Sequence, residues 1–216
     1  MKDGIKEYHQ FLADNFPGLK LNKPLFYNWG KALRFDLERN FDNDSNSVLY
    51  FDEVIKRAVT LYEASFKPND NAFFILRQYK FKKGKIRTGN YFFKQLTGLN
   101  KVDVSYCSIK SFNYSKDTFN IAIGETLVKQ INISNILSAI ALSNMPRIKS
   151  FEKFYNIDLP FEIYFINKDK KLIFHMYDNR GLDILGDNVE AIRPMYTTYN
   201  NWILDYDRKQ MNSLFE

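Results

Sequence analysis

Two histidines, one cysteine and a few clusters of aspartate with arginine hold the chemistry that this sequence could perform. His175 lies in the apolar run Leu172-Ile173-Phe174-His175-Met176-Tyr177. Strand alternation would place it with Ile173 and Tyr177 on one face and set Phe174 and Met176 on the other. Such a histidine is either a sheet-face residue satisfied by a polar neighbour or a general base acting with Asp178 or Asp183. The second option gives a hydrolase-like enzyme, and it requires a concave pocket at His175 together with a shifted imidazole pKa. His9 falls on the polar side of a helical stripe and reads as surface.

The tract Tyr177-Asp178-Asn179-Arg180-Gly181-Leu182-Asp183 sets a polar turn between two apolar strands. Architecture alone accounts for it: Asp178 accepts turn N–H groups, Gly181 takes a conformation other residues resist, and Arg180 pairs with an aspartate. A functional reading joins it to the aromatic tract Tyr199-Asn200-Asn201-Trp202-Ile203-Leu204-Asp205-Tyr206-Asp207-Arg208 as one recognition surface. Its expected contact residues are Asp178, Arg180, Asp183, Trp202, Asp205 and Arg208, because Trp, Tyr and Arg most often anchor protein interfaces. Truncating Trp202 or Arg180 should then weaken a partner by about 2 kcal/mol or more.

Asp178, Asp183, Asp187, Asp205 and Asp207 could be assembled into a carboxylate metal site, but their spacing does not follow a calcium loop, and capping or turn bonds explain them. No metal and no cofactor is expected. Nucleophile-elbow, phosphate-loop, dinucleotide-binding and His-Glu-x-x-His patterns are missing from the sequence, which leans the reading away from an enzyme. Cys107 stands alone, so neither an internal disulfide nor a cysteine-rich zinc site can form. The basic tract Lys80-Phe81-Lys82-Lys83-Gly84-Lys85-Ile86-Arg87 offers a third reading: Lys80, Lys82, Lys83, Lys85 and Arg87, interleaved with aromatic rings, could hold a nucleic-acid backbone. A solvated loop tip is the plainer account of the same charges.

These residues must be positioned by a fold, and its class is legible. The chain has 216 residues, 45% apolar and 26% charged, enough for one domain over 1–216 with a core that needs no staples. Twenty Phe and fourteen Tyr against nine Gly predict dense packing and short loops. The net charge of +6 comes from interspersed 31 basic and 25 acidic residues, a mild bias toward acidic partners. The N-terminal residues lack a signal-peptide core, and no run of eighteen apolar residues exists, so a soluble, cytoplasmic protein without membrane contact is expected.

Ile5, Tyr8, Leu12 and Phe16 mark an opening helix, and Leu33, Phe35 and Leu37 alternate as a half-buried strand against Arg34, Asp36 and Glu38. Phe51, Val54, Ile55, Ala58, Leu61, Tyr62 and Ser65 define a second helix closed by Pro68. Ala72–Tyr79 reads as an interior strand, and residues 101–129 as a hairpin around a turn at Asn113–Asp117. Ser134 is the expected cap of a third helix that Pro146 closes. Phe161–Ile166, Leu172–Tyr177 and Leu182–Leu185 form a meander, after which Asp187 or Asn188, and then Asp205 or Asp207, cap two final helices. The predicted architecture is α+β, a mainly antiparallel sheet with helices on one face and a C-terminal meander followed by two helices.

Phe161-Glu162-Ile163-Tyr164-Phe165-Ile166, Tyr177–Asp183 and above all Trp202-Ile203-Leu204-Asp205-Tyr206-Asp207-Arg208 resemble the bacterial family catalogued as domain of unknown function 3885. Pro24-Leu25-Phe26-Tyr27-Asn28-Trp29 and Arg34-Phe35-Asp36-Leu37 echo it near the start, so the likeness spans Phe16 to Phe215. The resemblance supplies no reaction and no catalytic residue. By analogy of size, it implies a non-enzymatic protein-binding module, of the kind that neutralises a toxin domain. The basic net charge would direct such an inhibitor to an acidic or apolar target surface.

Overall fold

Among the described residues seven strands carry the fold; those at the sheet edges follow from apolar alternation, and the interior ones from continuous apolar runs. The structure, a computed structural model, describes residues 3–38, 47–80, 85–87, 89–110, 118–143 and 161–216. The strands are β1 (Ala32–Asp36), β2 (Asn71–Tyr79), β3 (Ser105–Lys110), β4 (Thr118–Leu127), β5 (Phe161–Asn167), β6 (Leu172–Asp178) and β7 (Gly181–Gly186). They form one sheet in the order β1-β7-β6-β5-β2-β4-β3, antiparallel at every pair. The α+β class, the C-terminal meander β5-β6-β7 and the helices after it, α4 (Val189–Thr198) and α5 (Arg208–Asn212), agree with the sequence reading.

Helix α2 (Val48–Ser65) forms because Phe51, Val54, Ala58, Leu61 and Ser65 recur on one buried face. Ser47 caps it by accepting the Tyr50 N–H at 3.1 Å, and the chain turns extended at Phe66, ahead of Pro68. Its Tyr62 ring meets Phe165 and Phe174 on the sheet. Helices α2, α3 (Ile133–Ala141) and α4 make the helical layer on that face. On the opposite face α1 (Asp3–Asn15) sets Tyr8 and Phe11 against Phe73, and a 3-10 turn at Leu25–Asn28 lies over β7. Both faces are therefore covered, and every strand of the meander is largely buried.

Local details differ from the sequence reading for identifiable reasons. Asn132 rather than Ser134 caps α3, accepting the Asn135 N–H at 3.3 Å, so the helix begins at Ile133. Lys101–Asp103 is a 3-10 turn closed by Asn100 and Asp103, which leaves Val102 exposed instead of in a strand. Asp207 precedes α5 but makes no side-chain cap bond, because its carboxylate is engaged elsewhere. The turn at Asn113–Asp117 and the stop at Pro146 lie outside the described residues. No helix among the described residues is long and apolar enough to cross a membrane.

Candidate functional site

Arg34 in β1 is directly opposite Asp183 in β7, and Asp183 is opposite His175 in β6. Paired positions share a sheet face, so these three polar residues form one row across the sheet. The strand alternation that suggested an outward Arg34 is correct in period, but the face it points to is covered by the Leu25–Asn28 turn and by the C-terminal chain.

Three segments far apart in sequence meet on Arg34. Its Nε lies 3.7 Å from Asp183 Oδ1 and donates to the Tyr177 hydroxyl at 3.3 Å, and its Nη1 donates to Asp207 Oδ2 at 3.4 Å. The guanidinium also sits over the rings of Tyr27, at 5.2 Å, and Tyr177, at 5.5 Å. The Tyr27 hydroxyl donates to both oxygens of Asp207 at 3.1 Å, and the Phe26 amide donates to Asp183 Oδ2 at 3.1 Å. The C-terminal chain is laid along the free edge of β1: Leu204 N–H donates to the Arg34 carbonyl at 3.0 Å, and Ile203 bridges to Phe35. That contact also caps a sheet edge that would otherwise stand open.

Burial sets the electrostatics. Asp183 is fully buried, and loss of solvation raises its pKa to about 6, against the Phe26 amide and Arg34, which act to lower it. Burial alone would lower the Arg34 guanidinium, yet the Tyr177 hydroxyl and Asp183 hold it above its ordinary value. Tyr177 is pushed up to about 12, chiefly by burial. The arrangement sets one guanidinium between two carboxylates and locks β1, β7 and the C-terminal chain together. Gly181 is part of the lock, since a side chain there would collide with the Tyr177 hydroxyl and the Phe35 carbonyl.

Every stretch that meets here falls within one family profile, which is described as Domain of unknown function (DUF3885) and matches residues 8–207. The chain belongs to this family. It is similar to "Uncharacterized protein YnaE" of Bacillus subtilis (strain 168), 25% identical over 210 residues that cover 91% of this chain and 96% of that protein. No solved structure matches it.

In this DUF3885 chain the expected recognition residues divide. Asp183 is buried in the lock and cannot reach a partner. Asp178 accepts the Arg180 backbone N–H at 2.8 Å and its Nη2 at 2.6 Å, so this pair builds the turn, although Arg180 remains exposed. Arg208 donates to the carbonyls of Asn200 and Ile203, at 3.0 and 3.1 Å, and to Asp205 at 2.7 Å, which folds the C-terminal tract on itself. Trp202 is half-buried, stacked on Tyr199 at 5.1 Å with the Arg57 guanidinium 5.5 Å from its ring. What this tract exposes is Asn201, Asp205 and Tyr206, the last 87% exposed, near Tyr27 at 53%. Tyr27 and Arg34 were not singled out by sequence reasoning, and Asp207 was considered only as a metal ligand or helix cap; the signal was their presence in the same stretches that carried the family resemblance.

His175 is fully buried, its Nδ1 donates to the Ile163 carbonyl at 2.7 Å, and its ring stacks on Tyr164 at 4.2 Å. Burial lowers its pKa to about 4 despite the Ile163 bond. A cavity of about 100 Å³ adjoins it, lined also by Lys23, Ser143, Glu162 and Tyr177. The required pocket and shifted pKa are thus present in kind, but the volume is several times below that of small-molecule sites. Asp178 is engaged by Arg180 and Asp183 by Arg34, so neither serves His175 as partner carboxylate. Of the basic tract, Lys80, Lys85 and Arg87 are exposed while Ile86 is buried; Lys82 and Lys83 lie outside the described residues. Among the described residues no cluster of metal-ligating side chains occurs.

Proposed function

We propose that this chain is a non-enzymatic protein-binding module whose contact face is the aromatic rim above the Arg34 lock. The observation that carries this reading is the contrast between ion-paired charges beneath and exposed tyrosines above. Arg34, Asp183 and Asp207 answer one another, while Tyr27 and Tyr206 stand out beside Asp205. Tyrosines are favoured interface anchors, because they bring large area at little entropic cost. An inhibitor of a toxin domain belongs to this class and would use the same face. A cytoplasmic location accords with the single, half-buried Cys107.

The test is a pull-down from native lysate with the tagged protein, its Tyr206→Ala variant and its Arg180→Ala variant, each checked for an unchanged melting temperature. Retention of one protein in near-stoichiometric amount, lost on Tyr206→Ala, supports the module and names its target. Nucleic acid on the column, or a partner indifferent to Tyr206 and Tyr27 together, sinks it.

A further inference from the structure

A groove between the end of α2 and the chain leading into α3 takes no part in the lock or the His175 cavity. It encloses about 380 Å³, within the range of small-molecule sites. Tyr62, Phe66, Pro68, Val128, Ile131 and Ile133 make its walls. The rings of Tyr62 and Phe66 stack 4.4 Å apart and 2° from parallel, so this part of the wall is firmly packed. The walls are tied together by backbone bonds, Val128 N–H to the Asp70 carbonyl at 3.0 Å and Lys129 N–H to the Pro68 carbonyl at 2.9 Å. The groove is therefore built before any ligand arrives, which lowers the entropic cost of binding.

The charge at its mouth specifies an occupant. At the mouth stand Lys67 and Lys129, both exposed. Lys67 Nζ donates to the Glu63 carbonyl at 3.2 Å and Lys129 Nζ to Asn69 Oδ1 at 3.2 Å; neither is ion-paired among the described residues. Glu63 is the one acid among the lining residues, so the mouth carries a net positive charge over an apolar trough.

We propose that this groove binds a small amphipathic anion, an unbranched apolar body ending in one carboxylate, with the carboxylate between Lys67 and Lys129. Such a group arrives as a free acid, because the acyl chains of a membrane lipid are ester-linked and carry no carboxylate, and the experiment separates the free acid from a lipid surface. The full chain is titrated calorimetrically with octanoate, octylamine and octanol, and is co-sedimented with phosphatidylglycerol vesicles. The expected result is octanoate bound at least about tenfold more tightly than octylamine or octanol. Binding should be abolished by Ile133→Trp, which fills the trough from a partly exposed position, and weakened by Lys67→Glu with Lys129→Glu. The paired surface change keeps the test valid should Ile133→Trp not fold. Equal affinity for the three probes, no heat with octanoate, or vesicle binding without octanoate binding overturns the proposal.

Discussion

The Arg34 lock and the His175 centre lie in one cross-strand row on one sheet face, yet they solve the burial of polar groups in opposite ways. At the lock, ionised partners are recruited from β1, β7 and the residues before α5, and every strong charge meets its opposite. At His175 the imidazole is kept neutral by burial and held by one carbonyl and one stacked ring. Nearby, Arg77 and Glu162 pair across β2 and β5, at 2.5 Å. The first solution ties distant chain segments together and ends at the surface in tyrosine; the second stays within neighbouring strands and ends in a small cavity. Charge recruitment can therefore organise a face, whereas a neutralised histidine only completes a core.

Removing the hub of the lock is the sharpest way to break this contrast. Arg34→Ala leaves Asp183 and Asp207 without their shared counter-ion and should cost about 3–5 kcal/mol in urea unfolding. A loss under about 1 kcal/mol would mean that the carboxylates are not held by Arg34. Acid titration compares the two centres directly. The His175 pKa is lower in the folded chain, so its contribution is intact above pH 6.5 and is lost as pH falls toward about 4, a change of about 3 kcal/mol. Asp183 has the reverse sign: its folded pKa lies above 3.8, at about 6, so acidification between pH 6 and 4 stabilises the fold by a similar order. The two slopes oppose each other in the parent protein. Asp183→Asn should uncover a fall in melting temperature over that window, and His175→Gln a rise; slopes unchanged from the parent would refute the pairing.

Trp202→Ala should cost about 2 kcal/mol through lost packing on Tyr199 and Arg57, measured by thermal unfolding, which separates it from a pure contact residue. Smallest of all, Tyr206→Ala and Arg180→Ala should each leave stability within about 0.5 kcal/mol, since both side chains are exposed. If Tyr206→Ala unfolds the chain instead, the rim belongs to the core and the proposed contact face falls with it.

The sequence by itself determined the elements and the class. Period-two alternation and the 3.6-residue stripe of α2 are enforced by which side chains must leave water, and both survive in the fold whatever the neighbours do. The resemblance of short separated tracts also located the stretches that matter. Which face of β1 is covered, that Asp183 is sealed beneath Phe26, and that Asp207 is spent on Tyr27 and Arg34 instead of capping α5 were decided only by the tertiary structure. The reason is physical: a charged side chain in an alternating strand is equally well served by solvent or by an opposite charge, and the choice depends on chain segments 157 to 180 residues away in sequence. Local pattern fixes what a residue needs, and only the assembled fold decides what supplies it.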